Sequence, residues 1–213
     1  MGLLSGLLLF PVTGPVYRDD NSPTRRSKAM GKIISNFFIS MDGVVERPDQ
    51  WHFPYFDDEM GEVVGAGMAN TKAILMGRRL YDEWSQYWPA QGDADFGAVI
   101  NGTQKYVLSH DAFDPDWANT TVISGPDDVS VAEQVRAVKE QTDGDITMSG
   151  SATTVRWLIA QGLLDELALL VHPIAVAEGQ RLFEGTGKVP LQLTESRPLK
   201  SGVLLVRYAP VQS

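Results

Sequence analysis

The stretch that most limits what this chain can fold into runs from Asp145 to Phe183, DITMSGSATTVRWLIAQGLLDELALLVHPIAVAEGQRLF. A short apolar strand ends in Gly150-Ser151, a helix opens at once on small residues, and Gly162 closes that helix. A second, almost wholly apolar strand follows and stops at Pro173. Two such strands joined through a helix form a βαβ unit, so the strands lie parallel and the helix covers them. A helix that starts directly after a strand presents unpaired backbone N–H groups and the positive end of its dipole, and small side chains leave room for an anion there. Gly150, Ser151, Ala152, Thr153 and Thr154 are therefore candidates for a phosphate cradle. The competing explanation is local, since any strand-to-helix turn favours a glycine and a hydroxyl cap.

The same alternation extends upstream. Lys32–Ile39, KIISNFFI, reads as a buried strand that breaks into the turn Ser40-Met41-Asp42-Gly43, followed by a loop through Glu46, Pro48, Asp49, Trp51 and Pro54. Asp57 to Asn70 reads as a helix, with Asp57 or Asp58 as its cap and an apolar stripe of Met60, Val63, Val64 and Met68. Gly65 and Gly67 imitate the start of a dinucleotide fingerprint, but they lie inside this helix and Asn70 stands where the third glycine belongs, so helix packing explains them. Lys72–Met76 is the next strand and runs into Gly77-Arg78-Arg79-Leu80-Tyr81, where another helix begins. Guanidinium groups at a strand-to-helix junction suit a phosphate, and a solvated helix face is the alternative.

Trp88 to Gly102 reads as a loop, Gln104–Leu108 and Thr120–Ile123 as strands, and Ser130–Gln141 as a helix opened by a Ser130/Glu133 capping box. Val189–Glu195 and Val203–Tyr208 read as an antiparallel hairpin closing a largely parallel sheet.

Composition narrows the partners. The formal net charge is −9, which opposes nucleic acid and anionic membranes because both need clustered cations. An anionic ligand must then find a local basic island, and Arg78-Arg79 is one. There is no cysteine, which removes disulfides and thiolate chemistry and fits a reducing, cytoplasmic setting. Histidines and carboxylates form no ligand-spaced cluster, so no metal is expected. With 213 residues, 43% of them hydrophobic, one sizeable domain is expected over residues 31–213. Residues 1–30 read as a disordered extension, with a cleaved targeting segment as the alternative; Leu3–Phe10 is too short to span a bilayer.

Taken together, ILMGRRLYDEW from Ile74 to Trp84, the Ser40–Gly43 turn, the Ser109 strand end, GSATTVRWLIAQGLLDEL, His172-Pro173 and Gln180-Arg181-Leu182-Phe183 resemble the dihydrofolate-reductase-like superfamily. Within it, the chain is most similar to stand-alone relatives of the reductase domain of the bifunctional deaminase-reductase of riboflavin biosynthesis. The resemblance covers about Lys32 to Tyr208. It implies a three-layer α/β fold with a central, mainly parallel eight-stranded sheet, NADPH as hydride donor, and a homodimer. By resemblance, Gly150 to Thr154 form the pyrophosphate loop, Gly77, Arg78 and Arg79 the second phosphate-binding helix start, and Ser109 the adenosine-side strand end. An arginine near a 2′-phosphate would favour NADPH over NADH.

Hydride transfer to a C=N or C=O group also needs a proton donor. Asp57 and Asp58 are candidates because they follow Trp51 and Pro54 much as the acidic residue of dihydrofolate reductases follows its own tryptophan and proline; helix capping competes. Asp42 is a third candidate, although an Asp-Gly pair is first of all turn chemistry. Trp51, His52 and Phe53 are candidates for contact with a planar heterocyclic substrate. The chain departs from the family at Leu80, where dihydrofolate reductases carry threonine, at Ser151, which replaces a second glycine, and at Met148, two residues before Gly150, where the riboflavin-pathway reductase carries a substrate-binding glutamate. The expected function is an NADPH-dependent reductase of a pteridine-like or ribosylaminopyrimidine-like heterocycle. The alternative is a non-catalytic NADPH-binding module or sensor.

Overall fold

The computed structural model describes residues 30–92 and 95–211. Its eight strands are β1 (Lys32–Ser40), β2 (Thr71–Gly77), β3 (Gln104–Leu108), β4 (Thr120–Ile123), β5 (Asp145–Ser149), β6 (Glu166–His172), β7 (Leu191–Pro198) and β8 (Leu204–Pro210). They form one sheet in the order β4-β3-β2-β5-β1-β6-β8-β7. Neighbours from β4 across to β6 are parallel, whereas β8 runs antiparallel to both β6 and β7. The helices are α1 (Asp58–Met68), α2 (Arg78–Tyr87), α3 (Asp95–Gly102), α4 (Asp128–Gln141) and α5 (Ala152–Ala160).

Alternation along the strands assigns the layers, because successive side chains leave opposite faces. On one face Ile33, Phe37, Ile146 and Leu167 pack against Val135 and Val138 of α4 and Val155 and Leu158 of α5. On the other, Ile74, Met76 and Val107 meet Tyr81 of α2 and Ile100 of α3, while Leu170 and Leu205 meet Met60 of α1. This is the expected eight-stranded, mainly parallel sheet with helices on both faces and a C-terminal antiparallel hairpin.

Three local expectations are corrected. Residues 88–102, read as a loop, contain a 3-10 turn at Trp88–Gln91 and the helix α3. Glycines obscured it in the sequence, but Ile100 buries into the core, and the fully buried Lys105 ammonium donates to the carbonyls of Ile100, Asn101 and Thr103 around the helix end. Helix α4 starts two residues earlier than Ser130: the Asp127 carboxylate accepts from Ser130 N at 2.8 Å, taking the role assigned to the serine. Strand β7 is displaced to Leu191–Pro198 and is largely exposed, which explains its weak apolar pattern. The expected N-terminal extension lies outside the described residues except for Met30. Among the described residues no helix is long and apolar enough to cross a membrane.

Candidate functional site

Strands β2 and β5 are neighbours, so the helices that follow them begin side by side. Gly77 is the N-cap of α2 and Ser151 the N-cap of α5, and neither helix has a side chain capping its first turn. The two junctions are pinned together: Gly77 N donates to Ser151 Oγ at 3.2 Å. A Cβ on Gly77 would lie 2.6 Å from Thr154 Oγ1, closer than any real contact, so only glycine permits this approach. Gly150 and Ser151 both adopt positive φ, 72° and 58°, which turns the chain sharply into α5. For serine that conformation costs about 1–2 kcal/mol, offset in part by the bond from Gly77.

The paired helix starts line a cleft of about 780 Å³, with Gly77, Arg78, Arg79 and Leu80 on one side, residues 150–154 on the other, and the loop from Glu46 to Asp49 beside them. Its donors are backbone N–H groups at two positive helix ends, together with guanidinium groups, a set that fits a diphosphate and a further phosphate. Arg78 pairs with Asp82 at 2.7 Å and stacks 3.8 Å from the Phe113 ring centre. Arg79 is 73% exposed and reaches Glu83 at 3.4 Å and Glu46 at 3.5 Å. Glu46 in turn accepts from Gln180 N at 2.8 Å, which ties the glycine-rich loop after β6 to the cleft. Ser109 stands apart: its N–H donates to the Ile123 carbonyl, and the cleft is lined there by Leu108.

A second cavity, of about 480 Å³, adjoins the first and shares Asn36, Phe38, Trp84 and Ser149 with it. Strand register builds its floor, because Asn36 pairs with Ala168 and Ala168 with Arg207, while Phe38 pairs with Leu170 and Leu170 with Leu205. Val63, Val64 and Gly67 of α1 form one wall, and Trp84, Trp88 and Phe96 another. Asn36 stands where the cavities meet, its Nδ2 donating to the Met148 carbonyl at a long 3.4 Å. Among the described residues, no aspartate or glutamate lines this cavity.

The three candidate acids all lie away from both cavities. Asp57 caps α1, its Oδ1 accepting from Met60 N at 2.9 Å, and Asp58 is an exposed residue of the first turn. Asp42 locks a turn, accepting from Ser40 Oγ at 2.7 Å, Val176 N at 3.0 Å and Ala177 N at 2.9 Å. These bonds, led by the Ser40 hydroxyl, hold its carboxyl at about 2, against an ordinary 3.8. Trp51 is buried, donates its indole N–H to the Glu46 carbonyl at 3.1 Å and packs edge-on to His172. His52 and Phe53 do line the apolar cavity. His52 stacks on Phe38 with ring centres 4.5 Å apart; burial, and then the neighbouring His172, lowers its pKa, so the imidazole is neutral at pH 7. Sequence reasoning missed Asn36, Thr147, Trp84 and Arg207 as cavity residues. For Asn36 the available signal was one amide inside the apolar run KIISNFFI.

Comparison with known proteins agrees with this fold. A protein of Shewanella sp. PV-4 attributed to riboflavin biosynthesis superposes with a TM-score of 0.64 at 17% identity, over 85% of this chain and 99% of its own. The dihydrofolate reductase of Enterococcus faecalis, solved with NADP(H), superposes with a TM-score of 0.57 at 13% identity, over 86% of this chain and 98% of its own. The fold is therefore dihydrofolate-reductase-like. An uncharacterized protein of Bacillus subtilis strain 168, YyaP, is 28% identical over 183 residues, spanning 83% of this chain and 94% of its own length. The family model of the RibD C-terminal domain matches residues 31–205, so this chain belongs to the RibD C-terminal domain family.

Proposed function

We propose that the protein is an NADPH-dependent reductase that delivers a hydride to a planar, unsaturated ring compound held in the apolar cavity. The observation that carries this reading is the pair of uncapped helix starts, pinned at Gly77 and Ser151, opening into a second cavity of substrate size. When bound, NADPH supplies the hydride. The backbone N–H groups at residues 150–154 and 78–79 hold its diphosphate, and Arg78 or Arg79 takes the 2′-phosphate. Asn36 orients the acceptor at the junction, and the aromatic wall of Trp84, Trp88 and Phe96 excludes water from the transfer. Because Asp57, Asp58 and Asp42 stand outside both cavities and no described carboxylate lines the apolar one, the proton for the acceptor's heteroatom comes from water at the mouth. That same lack of a cavity carboxylate favours the second reading, a binding module that holds NADPH without turning it over. A second copy of the chain completes the proposed homodimer.

Titration with NADPH and NADH, followed by nicotinamide fluorescence, tests the cradle. A charge-assisted bond contributes about 1.5–3 kcal/mol, so NADPH is expected to bind at least about tenfold more tightly than NADH. Equal affinities would remove the 2′-phosphate assignment, and no binding to either would overturn the reading. Oxidation of bound NADPH by an acceptor separates the reductase from the binding module.

A further inference from the structure

We infer that the acceptor is an uncharged, planar conjugated carbonyl or imine compound that carries neither a phosphate nor an aminopyrimidine edge, so that neither a pterin nor a ribosylaminopyrimidine phosphate is the natural substrate. This rests on the reductase reading and specifies the occupant of its second cavity.

Charge is the first argument. Among the described residues lining the apolar cavity, the only ionisable side chains are His52 and Arg207. His52 is buried among aromatic rings and neutral. The Arg207 guanidinium is already held by two carboxylates, Glu166 and, at 3.1 Å, Glu195. A phosphate entering here would meet no free cation, a costly arrangement in a largely apolar space.

Hydrogen-bond chemistry is the second. The aminopyrimidine edge of a pterin presents two N–H donors side by side, and a carboxylate matches them with two acceptors. The wall that faces the sheet across the cavity offers Val63, Val64 and Gly67 instead. A buried N–H pair left without acceptors costs about 1–3 kcal/mol for each group.

The mouth is the third. Phe53, Phe56 and Phe96 line the cavity and yet remain 64%, 45% and 41% exposed. Three exposed aromatic rings around one opening form an apolar patch of the kind that marks a binding site for an apolar ligand. Within the cavity the polar groups are few, and the Asn36 amide, held by a single long bond, is free to pair with one carbonyl oxygen or imine nitrogen.

The reaction balances without a further reactant. The acceptor carbon gains a hydride, the heteroatom gains a proton from water, and the nicotinamide leaves oxidised by two electrons.

Calorimetric titration of the NADP⁺-loaded protein tests the class without depending on turnover, using 2-methyl-1,4-naphthoquinone, folate and 5-amino-6-(5-phosphoribosylamino)uracil as probes. The quinone is expected to bind at least tenfold more tightly than either charged compound. Replacing both Phe53→Ala and Phe56→Ala, at exposed positions, is expected to weaken the quinone at least tenfold and leave NADP⁺ affinity unchanged. If NADP⁺ binds normally but folate or the aminopyrimidine binds as tightly as the quinone, or the quinone does not bind, the acceptor class is overturned and the cofactor cradle stands. If NADP⁺ itself does not bind, the reductase reading falls and takes this inference with it.

Discussion

Four helices of this protein begin in two different ways. The first turns of α1 and α4 are closed by their own sequence, since Asp57 accepts from Met60 N and Asp127 from Ser130 N. Those of α2 and α5 are left open: Gly77 has no side chain to offer, and the Ser151 hydroxyl is turned away to accept from Gly77 N. A cap contributes about 1 kcal/mol, so leaving two first turns uncapped on one cleft forgoes stability that the other two helices take. The difference separates helices closed by their own sequence from helices whose first-turn N–H groups remain available, as the proposed cradle requires.

Three substitutions break or sharpen this contrast. The largest effect is expected at Gly77→Val, whose Cβ would collide with Thr154 Oγ1 and force the open helix starts apart. Overpacking of this kind costs about 1–3 kcal/mol, and NADPH affinity should fall by up to about a hundredfold while circular dichroism keeps its native form. Unaltered affinity would mean that the convergence is incidental. Arg78→Ala should follow, weakening NADPH about tenfold through loss of one charge-assisted bond and leaving NADH unchanged in the same titration. The smallest effect belongs to a closed helix: Asp57→Ala should lower stability by about 1 kcal/mol in urea unfolding and leave cofactor affinity alone. Loss of turnover with unchanged unfolding would instead place the Asp57 carboxylate in the chemistry.

What the sequence made legible follows the range of the physics. The two strand-to-helix junctions of the cleft are local, each a strand end, a glycine and a helix start within a few residues, and both were readable as GSATT and GRR. Strands β3 and β4 were readable for the same reason, being short runs, Tyr106-Val107-Leu108 in one and Thr120–Ile123 in the other, between turn residues. The apolar cavity was not, because its floor comes from β1, β5, β6 and β8, and only the register between those strands places Asn36 in one row with Ala168 and Arg207. Asp57 was legible both as a cap and as an acid; the bond to Met60 N assigns the cap. Helix α3 escaped because its closing partner, the Lys105 ammonium, is supplied by the next strand.

The bond between Gly77 and Ser151 also links residues 74 positions apart in the chain. Each helix start is written locally, yet the space between them comes into being only when β5 has settled between β2 and β1 and the long loop has closed. The cradle is thus a late product of folding, absent from any nascent chain that stops short of Ser151. A dinucleotide laid across it would act as a clasp on the finished molecule, adding about 2.7 kcal/mol at a concentration one hundred times its dissociation constant. In a cell rich in that nucleotide, the reagent for the reaction would also guard the protein against unfolding.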